Sequence, residues 1–367
     1  MLSSSAAQDR FKAGTVIPAV PLALHEDRSF DRTSQQAVIR YYLDAGAGGL
    51  AVGVHTTQFE LRDTPGFLEE ILTFTSRVAE EWCREDRQRP AESAGGAIEP
   101  APPVMIAGIC GERGQAVEEA RLARRLGFHA GLLSLAALKG STPDEWIEHA
   151  ARVGDEIPVI GFYLQTAVGG VALPYEFWRR FCEIDNAWGI KVAPFNRYAT
   201  LEVVRGVAES SRAESIALYT GNDDSIVVDL LTTYEVAAAN GLRTVQMVGG
   251  LLGHWSCWTR RAVEIHQACR AAAGGQGDTI PHRLLTLAAQ ITDMNSAVFD
   301  AANGYAGCIA GVHEVLRRQG LFSSTACLSP NERLSPGQAA AIDRVCAAYP
   351  HLTDDEFVRE NLELWRS

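Results

Sequence analysis

The sequence predicts an α/β fold, a (β/α)8 TIM barrel with a C-terminal helical extension, on three observations. Eight short apolar runs are spread over roughly the first 260 residues, each run is apolar throughout rather than alternating, and stretches of helical spacing separate them. Strands apolar on both faces belong to a parallel sheet that helices cover on the outside.

Taken in order, residues 1–13 read as an N-terminal tail, 14–260 as the barrel and 261–367 as the helical region. The runs are "GTVIPAV" from Gly14, "GGLAVGV" from Gly48, "PPVMIAGI" from Pro102, "AGLLSL" from Ala130, "PVIGFYL" from Pro158, "WGIKVA" from Trp188, "SIALYTG" from Ser215 and "TVQMVGGLLG" from Thr244. Between them, "TSQQAVIRYYLDAG" has the Thr/Ser start and Gly stop of a helix, and "ERGQAVEEARLARRLGF" carries apolar residues at helical spacing. The Pro-, Gly- and charge-rich stretch 84–103 reads as a surface loop before the third strand. Beyond residue 260 the strand signals stop and only helical patterns remain.

Composition narrows the function. A net charge of −12 lacks the basic face that nucleic acid or anionic lipid requires, so the expected partner is a small molecule. The start of the chain lacks a secretory apolar core and no run has membrane-span length, which places the protein in the cytoplasm by expectation. Eight scattered cysteines without a Cys-x-x-Cys pair suggest neither a disulfide framework nor a zinc site.

Within the sixth run, "NAWGIKVAPF", Lys191 stands among Trp188, Ile190, Val192 and Phe195. Burying an ammonium is unfavourable unless it is paired or gives up its proton. Of 33 basic residues only Lys12, Lys139 and Lys191 are lysines. A chain that otherwise uses arginine keeps lysine here where a neutral amine is useful, since arginine does not deprotonate. A neutral amine at a barrel mouth attacks a ketone and forms a Schiff base, an electron sink that calls for no cofactor and no metal. Tyr163, one strand away, is a candidate proton relay. The competing readings are a lysine paired with an acid and a tyrosine that packs in the core.

The order of features resembles the dihydrodipicolinate synthase and N-acetylneuraminate lyase family of Schiff-base aldolases, from about Gly14 to about Tyr349. "GIKVA" is similar to the family's Gly-Ile-Lys strand, and "PVIGFYLQ" to its Pro-Val-x-x-Tyr-Asn strand, with Tyr163 lying 28 residues before Lys191. The resemblance implies a Schiff-base lyase, aldolase or dehydratase with Lys191 as nucleophile, Tyr163 as relay, pyruvate or a larger 2-oxo acid, sugar-derived ones included, as substrate, and a homo-oligomer, dimer or tetramer.

The chain also departs from the family. Where Gly-Thr-Thr-Gly-Glu is usual, it has "VHTTQF", so that His55, Thr56 and Thr57 are the candidate carboxylate-binding residues. His55 serves there as acid, base or donor, or fills a remodelled loop. Val168 stands where synthases carry an arginine, and Leu138 and Lys139 where they carry a Pro-Tyr-Tyr, which argues against true dihydrodipicolinate synthase activity. "TGNDDS" is similar to the lyase branch's Gly-x-Asp-Glu, making Asp223 and Asp224 candidates for binding sugar hydroxyls, or Asp224 a helix cap.

Two other readings stay open at this point. One is a metal-dependent barrel using His55, His254 and Asp223, and the other a non-catalytic binding or regulatory protein on the same fold. The glycines of "VGGLLGH" suit either a phosphate site or close packing.

Overall fold

The computed structural model describes residues 2–86, 102–239, 241–274 and 279–367. The loop expected over 84–103 falls largely outside them.

All eight apolar runs form strands of one parallel barrel: β1 (Val16–Pro18), β2 (Gly49–Val52), β3 (Val104–Ile109), β4 (Ala130–Leu133), β5 (Val159–Leu164), β6 (Ala187–Ala193), β7 (Ala217–Thr220) and, as the eighth stave, β9 (Gly241–Leu252). The strands follow chain order around the sheet, and a bridge between Ala19 and Ala51 closes β1 on β2. A further strand, β8 (Thr233–Ala238), pairs antiparallel with the first half of β9. β8 carries no barrel-strand signature because its side chains alternate between exposed positions and buried or half-buried ones, whereas the barrel runs are apolar throughout.

Two apolar clusters follow from the pleat. Inward side chains such as Ile17, Ile106, Leu132, Ile160 and Trp188 fill the barrel. The alternate positions, among them Val159, Ile190 and Val192, face the helices.

One register detail governs the site. Val159 pairs with Ala187 but Ile160 with Gly189, so β6 bulges by one residue at Trp188, and Phe162 then lies beside Lys191 while Tyr163 lies beside Val192.

Residues read as a tail are instead a helix, α1 (Ser4–Ala13), capped by the Ser3 hydroxyl. Its Phe11 stacks on Tyr219 at 4.4 Å and accepts the Tyr219 hydroxyl at 2.7 Å, so the helix stops the N-terminal end of the barrel with an aromatic plug.

The outer helices have local reasons to start where they do. In α5 (Pro143–Gly154) a Thr142–Glu145 capping box precedes Pro at the first position. For α7 (Arg197–Ala208) the Asn196 side chain accepts the N–H groups of Tyr198 and Ala199.

The C-terminal region, from α9 (Thr259–Ala273) through α10 (His282–Val298), α11 (Cys308–Arg318) and α12 (Gln338–Ala348) to α13 (Asp355–Arg366), folds back on α2 (Arg32–Asp44). Tyr41 donates to Asp354 at 2.7 Å and Trp365 to Asp44 at 2.7 Å. Among the described residues no helix is long and apolar enough to cross a membrane.

Candidate active site

Strand β6 carries Lys191 inward at the barrel's C-terminal end, with only 6 % of its surface exposed. Its aliphatic stem lies across Gly221, where an added Cβ would sit 2.8 Å from the lysine Cε, so a residue larger than glycine would evict it. The ammonium position lies 4.4 Å from the centre of the Phe162 ring. Lys191 makes neither a hydrogen bond nor an ion pair among the described residues, and it faces a cavity of about 40 Å³, room for about three waters. Burial pushes its pKa down, while Asp223 and then Cys308 pull it back up.

The loop after β7 supplies Asp223, buried on the same cavity. One carboxylate oxygen accepts the backbone N–H of His254 at 2.8 Å. Burial raises its pKa, against the lowering pull of that hydrogen bond and of Lys191. Asn222, beside it, is fixed from behind: its side chain accepts the Phe195 N–H at 3.0 Å and donates to Thr200 and to the fully buried Asp229.

After β2, a single turn over His55–Thr57 brings His55 and Thr56 to the cavity. Burial, and next the Lys191 charge, hold His55 down at about 4, so its imidazole is neutral near pH 7. Thr56 donates its hydroxyl to the Ala19 carbonyl at 2.6 Å. Thr57 does not reach the site: its hydroxyl accepts the Gly53 and Val54 N–H groups and donates to Val20, which ties the turn to β1.

Three expectations need correction. Tyr163 faces the helix layer, against Trp178 of α6 (Tyr175–Phe181) at 5.3 Å, and is not among the cavity's lining residues. The count of 28 residues back from Lys191 crosses the β6 bulge, and a slip of one residue turns a strand side chain to the opposite face. Asp224 is exposed and likewise lies off the cavity lining, so only one of the two acids is in the site. The three residues of the metal reading do not gather either. His254 does not line the cavity, and no group of three His, Cys, Asp or Glu among the described residues is placed to hold a metal ion.

Lys139 is exposed on the loop after β4, as a solvated lysine would be. The glycines of β9 pack closely: a Cβ on Gly249 would meet the Thr15 carbonyl at 2.3 Å, and one on Gly250 the Trp255 ring at 2.4 Å.

Residues from beyond the barrel complete the site, which a reading confined to strand ends missed. Phe299, Tyr305 and Cys308, all from the C-terminal region, line the cavity. Asp300 pins their loop by accepting from Asn303, Gly307 and Ser335. Tyr305 stands edge-on to Phe195 at 5.7 Å. The sequence signal was the turn-rich "DAANGYAG", in which Asp300, Gly304 and Tyr305 all adopt positive φ.

The mouth of this parallel barrel thus holds a buried lysine that is unpartnered among the described residues. The sequence matches no protein-family model and no curated protein, so similarity is carried by the structure. The fold is that of the dihydrodipicolinate synthase structures: the synthase of Aquifex aeolicus superposes with a TM-score of 0.70 at 16% identity, over 92% of this chain and 98% of that one. YagE, a prophage protein of the dihydrodipicolinic acid synthase family from E. coli K12 solved with pyruvate, gives 0.69 at 15% identity, over 92% of this chain and 98% of its own. CdNal from Clostridium difficile, solved with mannosamine, gives 0.68 at 14% identity, over 92% and 99%.

Proposed function

We propose that this protein is a Schiff-base lyase of the dihydrodipicolinate synthase and N-acetylneuraminate lyase type, acting on pyruvate or a larger 2-oxo acid. The observation that carries the reading is the Lys191 amine: inward, 6 % exposed, unpartnered among the described residues and facing open space. Burial lowers its affinity for a proton, and a neutral amine is the nucleophile that imine formation needs. Thr56 and His55 flank the position where the acid's carboxylate would lie.

Much of the remaining wall is apolar, from Phe162, Leu164, Val168, Phe195 and Phe299, with Gln165, Asp223 and Tyr305 as its polar members. Lys191 is the only lysine or arginine among its lining residues, and Val168 holds the place of the synthase arginine. A second carboxylate on the substrate would be buried without a counter-charge. Lysine-pathway synthesis is therefore disfavoured, and the part of the substrate beyond the keto acid is uncharged. With Asp224 outside the cavity, a polyhydroxylated chain has fewer partners than the sequence suggested. A homo-oligomer, dimer or tetramer, belongs to the same proposal.

Borohydride reduction in the presence of pyruvate and a panel of longer 2-oxo acids, read by intact mass, tests it. An adduct on the wild type that is lost in Lys191→Ala is the expected result. No adduct with any keto acid returns the chain to the non-catalytic reading.

A further inference from the structure

A Schiff-base site needs a group that moves protons at the condensing carbonyl, and here Phe162 occupies the place beside Lys191 where a phenol was expected. We propose that Asp223 is the proton carrier, a catalytic residue that does for Lys191 what the displaced tyrosine was expected to do. This rests on the Schiff-base reading of Lys191.

The geometry supports it in three ways. Asp223 lies two residues past Gly221, the glycine over which the Lys191 stem is laid, and both side chains line one cavity. The His254 N–H holds one carboxylate oxygen at 2.8 Å, which fixes the group's orientation, and no other residue donates to the second oxygen among the described residues. Among the described residues no ion pair joins acid to amine, although each shifts the other's proton affinity, and both border the same open space.

The other groups are less suited. Thr56 gives its hydroxyl to Ala19, and burial raises the Tyr305 phenol above its ordinary value of 10, which makes it a poor acid near neutrality. The Cys308 thiol is pushed far up by burial, and His55 is a weak base at about 4. Around Asp223 the charged or titratable neighbours are Lys191, Asp224, His254, Cys257, Cys308 and Tyr305.

The steps balance with one shared proton. The Lys191 nitrogen pair bonds to the keto carbon and the C=O π pair moves to oxygen. Protonated Asp223 gives its proton to that oxygen and takes one back from the nitrogen, leaving a neutral carbinolamine. Asp223 then protonates the hydroxyl, the C–O bond breaks, water leaves and the nitrogen pair closes a C=N⁺ bond beside the new carboxylate. That carboxylate removes a C3 proton; the C–H pair becomes the enamine C=C and the C=N π pair returns to nitrogen.

Exchange of pyruvate's methyl protons for deuterium in D₂O, followed by proton NMR, reads this sequence without knowledge of the second substrate. The wild type exchanges, and Asp223→Asn, which keeps an oxygen for the His254 N–H, slows exchange about 10²–10⁴-fold. Asp223→Ala is slow too but recovers with added formate, a recovery that a purely structural role would not give. Phe162→Tyr in the Asp223→Asn background restores part of the rate. Wild-type exchange that persists in Asp223→Asn, or that His55→Gln abolishes while Asp223→Asn does not, overturns the proposal. A wild type with neither exchange nor a reducible pyruvate adduct overturns instead the Schiff-base reading beneath it.

Discussion

Two buried acid–base pairs in this molecule have similar burial and opposite surroundings. Behind the loop after β2, Arg62 and Glu119 of α4 (Arg113–Arg125) meet through two hydrogen bonds of 2.9 and 3.0 Å. Arg62 also donates to the Gly53 and Gly108 carbonyls, and Glu119 accepts from the Cys110 N–H and the Gln115 amide. At the barrel mouth, Lys191 has no such partner among the described residues and Asp223 has one backbone donor. A saturated pair holds a strand end to a helix. An unsaturated pair keeps its chemistry available, and the fold carries the strain of holding it.

The largest contrast comes from removing the bases. Lys191→Met should abolish the pyruvate adduct while leaving the protein at least as stable in chemical denaturation, because the change removes a poorly partnered buried amine. If Lys191→Met kept the adduct, or unfolded the protein, the distinction between the two pairs would disappear.

At the saturated pair the effect moves to stability. Glu119→Ala strands the Arg62 guanidinium and should cost about 3–5 kcal/mol in urea unfolding, whereas replacing both partners by apolar residues of similar volume should recover most of it. Adduct formation by the folded fraction should survive. A loss below about 1 kcal/mol would show that this pair is not holding the structure.

The pH dependence of Lys191→Met sharpens the same point. The folded-state pKa of Lys191 is lowered from 10.5 to about 8, so between those values the unfolded chain binds more protons and wild-type stability rises with pH. The variant lacks this term. Its advantage over the wild type should therefore shrink as pH rises from about 8 towards 10.5. An advantage that instead grew with pH would mean the amine is held charged.

Much of this was legible in the sequence, and the exceptions share a cause. Barrel strands announce themselves because both faces are apolar, and Lys191 stood out in a chain with only three lysines. The half-exposed β8 carries no such signature. Phe299, Tyr305 and Cys308 reach the site through tertiary packing of helices that no strand pattern foretells. The expectation of a phenol facing Lys191 fell on Tyr163 because two rulers disagree. Counting back from Lys191 gives Tyr163, but counting forward from Pro158 through the Pro-Val-x-x-Tyr pattern gives Phe162. One extra residue between the two strands reconciles the counts, the bulge at Trp188 supplies one, and a bulge depends on pairing with a neighbouring strand.

That disagreement leads to the smallest effect and the cleanest test of register. Tyr163→Phe removes a hydroxyl on the helix side and keeps the ring against Trp178. The expected loss of stability is at most about 1 kcal/mol, the net worth of one typical hydrogen bond. Pyruvate adduct formation and methyl exchange should stay at wild-type rates, since the phenol lies on the far face of β5 from Lys191. Were Tyr163→Phe to slow exchange as much as Asp223→Asn, β5 would have to be shifted by one residue. Phe162 would then face the helices and the phenol would stand over the amine, restoring the arrangement that the spacing of 28 residues first suggested.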